Sequence, residues 1–129
     1  RNVNAEAIWA ACGRHAVARV PPLPAGSAHA YYKCYVYVQP GRLAHDWTRD
    51  RIIEIITTQG VPCYPGTCSE VYLEKAFDGT GWRPAERLPM AKQLGETSLM
   101  FLVHPTLTQS EIDKTCQVLH DVLNLATKQ

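Results

Sequence analysis

The sequence predicts an α+β fold in which helices flank a small antiparallel sheet. Two observations carry this reading. Ala30–Val38, rich in Tyr and Val, and the apolar run Thr97–Val103 both have strand composition. Two amphipathic helices with N-terminal caps, one over Thr48–Gln59 and one after Thr108, separate and follow them. The order helix, strand, helix, strand, helix, with long connections, suits an α+β sandwich better than a parallel sheet.

The elements follow in order. Val3–Cys12 has helical spacing, with Val3, Ala7, Ile8 and Ala11 expected on the buried face and Gly13 as the stop. Val17–Val20 suits a short strand before Pro21, Pro22 and Pro24 interrupt regular structure. In Ala30–Val38, alternation puts Tyr32, Cys34, Val36 and Val38 on one face and Tyr31, Lys33, Tyr35 and Tyr37 on the other. Thr48 caps the next helix, whose Ile52, Ile53, Ile55 and Ile56 are expected to be buried. Gly60 suits a left-handed C-terminal position with Val61 packing back. A loop over Cys63–Tyr72 follows, then a short helix at Val71–Phe77 and a turn at Asp78–Gly81. Pro89 opens a short helix to about Gly95. Thr108-Gln-Ser-Glu111 is a capping box for the last helix, with Ile112, Cys116, Leu119, Leu123 and Ala126 on its stripe.

Composition bounds the function. A length of 129 residues suits one domain with one core. Apolar residues make up 46% and charged residues 19%, ordinary for a globular chain. Net charge is +1 without long runs of one sign, so there is no electrostatic footprint for nucleic acid or an anionic membrane. No apolar run reaches about 18 residues, and no signal peptide is visible at the N-terminus. The five cysteines are odd in number and match no disulfide framework, so a reduced, cytoplasmic protein is expected. Cys34 and Cys116 are expected to be buried small hydrophobes.

The chemistry-bearing residues concentrate in Gly60–Phe77, GVPCYPGTCSEVYLEKAF. Cys63 and Cys68 with His29 or His104 raise zinc, but the C-x4-C spacing is wide and no second pair follows. Cys68 with His29 raises a thiol nucleophile, without any local signature of one. Both cysteines are instead expected beneath Tyr64 and Tyr72. Glu70 and Glu74 lie four apart as an acid–base pair would; Glu74 is expected to face water, and Glu70 is the better functional candidate. No Gly-rich phosphate loop is present. Lys33, Lys75, Lys92, Lys114 and Lys128 all suit solvated faces. His104 suits a structural role before the capping box.

Several pieces, in order, carry a family resemblance: the helix fragment NAEAIWAAC, then HAYYKCYVYV, QGVPCYPG, LPMAKQL and the strand ending HPTLT. In this order the chain, from about Asn4 to Leu125, resembles the C-terminal small domain of DegT/DnrJ/EryC1/StrS sugar aminotransferases of fold-type I, which depend on pyridoxal phosphate (PLP). The resemblance implies amino transfer to a keto sugar nucleotide in amino-sugar biosynthesis. It implies that His29, Tyr64, Cys68 and Glu70 face the substrate, and that this chain contributes no catalytic or cofactor-binding residue. The family's cofactor-binding lysine lies in a large N-terminal PLP-binding domain, so the chain is expected to be a fragment, inactive alone, without bound PLP. The partners implied are that domain of the same polypeptide, the sugar-nucleotide substrate and a second copy in a homodimer. Many members have a longer loop with a His; this chain keeps Tyr64-Pro65 and continues Gly66-Thr67-Cys68-Ser69-Glu70. The competing expectation is a stand-alone α+β binding module that uses the tyrosine face of Ala30–Val38. The length of the native reading frame separates the two.

Overall fold

The computed structural model describes residues 1–129. The elements are α1 (Asn2–Cys12), β1 (Ala18–Arg19), β2 (Cys34–Val38), α2 (Arg49–Thr58), β3 (Cys63–Tyr64), α3 (Pro89–Thr97), β4 (Ser98–Phe101) and α4 (Gln109–Ala126). The strands form one antiparallel sheet in the order β1-β2-β4-β3. The expected α+β fold is therefore present, and the two expected strands pair directly, Cys34 opposite Phe101 and Tyr37 opposite Ser98.

Alternation sorts the sheet into two faces. The inner face carries Cys34, Val36, Val38, Leu99 and Phe101, all buried. Ile8 of α1, Ile52 and Ile56 of α2, and Leu119 and Leu123 of α4 join them in one apolar core. The outer face presents Tyr35, Tyr37, Tyr64, Ser98 and Met100 toward α3 and the loop after β3.

The helix ends follow their caps. The Thr48 hydroxyl accepts from the Arg51 N–H at 3.1 Å. Thr108 and Glu111 exchange both bonds of the capping box. Gly60 has φ +76, a conformation other residues adopt only with strain, and Val61 behind it is 2% exposed.

Several expectations are corrected. The first strand begins at Cys34, not Ala30. Tyr31 has φ +46, so the chain kinks before the strand and the alternation shifts. Tyr31 is consequently buried against Trp9, ring centroids 5.2 Å apart, while Tyr32 is exposed. In α1 the buried stripe is Ala5, Ile8 and Cys12, with Val3 exposed, because α4 lies against that side. Cys116 is only half-buried; Val118 and Val122 share the core stripe with Leu119 and Leu123. Val71–Phe77 forms two short 3-10 turns rather than a helix. Strand β3, at the start of the expected loop, adds a fourth strand. No helix is long and apolar enough to cross a membrane.

Candidate functional site

The candidate site is the loop from Tyr64 to Leu88, laid over the outer face of the sheet. Its path is set first by β3, which pairs Tyr64 with Met100. Gly66 then passes against Tyr35 with φ +94, and a Cβ there would lie 2.6 Å from the Tyr35 ring. Only glycine allows that approach. The Tyr35 hydroxyl accepts from the Thr67 N–H at 3.2 Å and pairs with the Thr67 hydroxyl at 3.1 Å. The Ser98 hydroxyl donates to the Pro65 carbonyl. The tyrosine face expected as a binding surface thus anchors the loop.

Glu70 is the hub beyond that anchor. The Arg87 guanidinium grips both carboxylate oxygens, and the Tyr72 hydroxyl donates to one of them at 2.6 Å. Tyr72 in turn accepts from the Leu88 N–H at 2.9 Å. The Arg87 hydrogen bonds, helped by Tyr72, pull the Glu70 carboxyl down to about 2, so it stays ionised. Burial and the neighbouring carboxylate push the Tyr72 phenol up. Arg83 fixes the next turn, donating to the carbonyls of Tyr72, Leu73 and Glu74 and pairing with Asp78 at 2.6 Å.

The expected site residues divide. Tyr64, Cys68 and Glu70 share this loop. Tyr64 is 45% exposed, available to a ligand or another domain. Cys68 is exposed, its thiol donating to Glu74 at 3.6 Å, rather than packed beneath Tyr64 and Tyr72. Cys63 lies in the core, where burial pushes its thiol up to about 12. His29 is tied to its own turn: its Nδ1 accepts from the Tyr31 N–H at 2.8 Å, and its ring lies against Tyr31. No hydrogen bond joins His29 to the loop. His104 bonds Thr106 and accepts from Asn4 through its carbonyl, as a structural residue would.

Sequence reasoning missed Arg83 and Arg87, which organise the loop, and Tyr35, which anchors it. Their signal is faint: two arginines in the polar stretch Arg83-Pro-Ala-Glu-Arg87, between the turn and the LP of the helix start. Behind the loop runs an apolar groove of about 540 Å³ lined by Tyr35, Tyr37, Leu88, Met90 and Leu94 among others. Tyr64, Val71, Leu73, Trp82 and Leu88 are all exposed in this one segment, and Met90, at the start of α3, is exposed beside it. Scattered apolar residues need no explanation, but a concentration of them marks a contact surface.

The chain does not fit the anchoring of PLP. Lys75, Lys114 and Lys128 are exposed, Lys33 and Lys92 half-buried, and Lys92 sits 3.9 Å from Glu96. None has the desolvated surroundings that activate a lysine as a nucleophile. No three His, Cys, Asp or Glu side chains converge as metal ligands.

No protein-family model matches the chain, and no curated protein matches it. Solved structures do. An aminotransferase from Psychrobacter cryohalolentis is 54% identical over 95% of this chain, with a TM-score of 0.90. The aminotransferase TlmJ from Streptoalloteichus hindustanus is 22% identical over 95% of the chain, with a TM-score of 0.78. A DegT DnrJ EryC1 StrS aminotransferase from Brucella abortus is 22% identical over 93%, with a TM-score of 0.72. The chain spans 33%, 31% and 29% of those three proteins respectively. It therefore has the fold of one domain of aminotransferases, a DegT/DnrJ/EryC1/StrS member among them, as its sequence resemblance implies.

Proposed function

We propose that this chain is the C-terminal small domain of a PLP-dependent aminotransferase acting on a keto sugar nucleotide. The single observation that carries the reading is the 54% identity to an aminotransferase across 95% of the chain. On this reading the remaining polypeptide holds PLP, which supplies the electron sink for amino transfer. This chain supplies a wall of the site, and alone it neither binds PLP nor transfers an amino group. The intact protein is a cytoplasmic homodimer.

The loop is the substrate-side element. Tyr64 offers a half-exposed ring and hydroxyl, and Cys68 an exposed thiol. Glu70 is a positioning residue: Arg87 and Tyr72 occupy its oxygens, so it shapes the loop rather than gripping the sugar directly. His29 braces the turn that leads into β2, the strand whose Tyr35 anchors the loop. A fixed loop matters because misplaced reactants forfeit their orientation.

The test uses the full-length protein. Tyr64→Phe and Glu70→Ala are expected to lower kcat or raise KM for the keto sugar nucleotide while the visible absorbance of bound PLP is unchanged. Wild-type kinetics in both variants, or loss of the cofactor, refutes the assignment.

A further inference from the structure

Two of the five histidines meet ring to ring. His15, 8% exposed, follows the end of α1, and His120 is exposed on α4, so the pair joins positions 105 residues apart. The His15 Nε2 and the His120 Nδ1 lie 3.2 Å from each other. The other three histidines are engaged within their own turns. His29 accepts from the Tyr31 N–H, His45 pairs with Asp46 and His104 bonds Thr106.

A contact between two neutral imidazoles holds one proton, carried by one nitrogen and accepted by the other. The same space suits an ion that takes a lone pair from each ring. Zinc sits about 2.0–2.1 Å from an imidazole nitrogen, and two such nitrogens at a tetrahedral angle stand about 3.3 Å apart. The ring positions agree with that geometry. A straight N–H···N contact at the observed separation would set the ring centroids about 5.5 Å apart. They are 5.0 Å apart, with the ring planes tilted by 54°. The nitrogen axes are therefore bent off the line between the two nitrogens, as they are when two ligands aim at one ion beside that line.

The surroundings leave room for such an ion. His120 opens onto a cleft of about 450 Å³ between α1 and α4, whose lining includes Arg14, Asp113, Cys116 and Gln117. Asp113 brings a carboxylate that favours a cation there. Arg14 opposes it, but its side chain is exposed, so its head can turn to solvent. Two nitrogens are fewer ligands than a closed structural zinc site has, so the ion would keep open positions toward the cleft. Imidazole suits zinc, copper and nickel, whereas magnesium and calcium prefer oxygen.

We propose that His15 and His120 form a two-histidine site for a divalent transition ion of the zinc, nickel and copper group, which clips α1 to α4. The inference needs no assumption about amino transfer.

The test is NMR titration of the 129-residue chain with zinc chloride at neutral pH, read at the imidazole nitrogens and the backbone amides. Zinc is expected to move the His15 Nε2 and His120 Nδ1 resonances together and saturably, with Kd on the order of 10 μM. Magnesium at the same concentration should move neither. His120→Gln is expected to bind zinc about tenfold or more weakly, because one of the two ligands is gone. The position is exposed, so the variant's melting temperature without zinc should match the wild type and report an intact fold. Zinc should raise the urea midpoint of the wild type and leave that of His120→Gln unchanged, because only the folded chain brings the pair together. No saturable shift below about 1 mM zinc overturns the proposal. Shifts that centre on Cys68 and spare either histidine, or unchanged affinity in His120→Gln, also overturn it. None of these outcomes bears on the aminotransferase reading.

Discussion

The two faces of the sheet are held by different forces. On the inner face, side chains from α1, α2, α4 and the strands close a core of 21 buried residues. On the outer face, none of residues 65–88 is buried. That segment is held by Tyr35, Arg83 and Arg87 through hydrogen bonds to carbonyls, amides and one carboxylate. Packing resists opening because every displaced side chain exposes apolar surface. Polar ties near solvent resist it weakly, because water offers replacement bonds. A segment built the second way can open without unfolding the rest, and ligand-binding loops tend to come from that class.

The comparison is broken most directly at its strong end. Phe101 is 1% exposed and faces Cys34 and Cys63 on the neighbouring strands. Phe101→Ala should cost about 3–5 kcal/mol, read as a lower urea midpoint. Trp82→Ala, on the exposed loop, should change stability by less than about 0.5 kcal/mol. Equal losses in the two would show that the loop belongs to the same cooperative unit as the core.

Helix ends give the next effects. Gly60 has φ +76, and an added Cβ would lie 3.0 Å from the Lys114 ammonium. Gly60→Ala should cost about 1–2 kcal/mol through left-handed backbone strain. Thr108→Ala removes one half of the capping box and should cost about 1 kcal/mol. An unchanged denaturation midpoint in either would mean that the helix end frays without consequence.

A smaller effect depends on pH. His15, 8% exposed, lies where α1 meets α4, its Nε2 3.2 Å from His120 Nδ1. Burial, then the His120 and Arg14 charges, hold its pKa below the ordinary value. The unfolded chain therefore binds this proton more readily than the folded one. The associated stability is full above the ordinary His pKa and is lost as pH falls below it. Urea midpoints measured downward through the His range should decline in the wild type and decline less in His15→Gln. Parallel curves would remove His15 as the cause.

What was legible in the sequence follows the same division. The inner-face strands, Thr48, Gly60 and the Thr108–Glu111 box were all readable, because periodicity and capping are local properties. The outer region was not. Tyr31 shifts the strand's alternation through a single positive φ that no local propensity announces. Strand β3 is two residues long and exists only because β4 offers it an edge. Glu70 stands out in the sequence by its place in the loop, but its partner Arg87 lies seventeen residues further on, and only the fold reveals the pair. Cys116 has helical spacing like a core residue, yet it is only half-buried while Val118 and Val122 are buried.

The smallest global effect, and the sharpest test of the comparison, is expected at Arg87. Its guanidinium grips both oxygens of Glu70, whose other partner, Tyr72, accepts the Leu88 N–H. Arg87→Ala leaves the core untouched, so the urea midpoint should stay within error of the wild type. Hydrogen exchange at the Leu88 amide should nevertheless quicken, because Tyr72 loses the carboxylate that orients it. Arg87→Lys should fall between the two, restoring the charge without the two-pronged geometry. Acid provides an independent probe. The folded Glu70 carboxyl titrates at about 2, below its ordinary range, so the latch contributes fully above that range and is lost as pH falls toward 2. Leu88 protection in the wild type should therefore persist below the pH at which ordinary carboxylates titrate. Should Arg87→Ala lower the midpoint as far as Phe101→Ala does, the loop would be part of the core's cooperative unit; should Leu88 exchange stay unchanged, the arginine would not be what holds it.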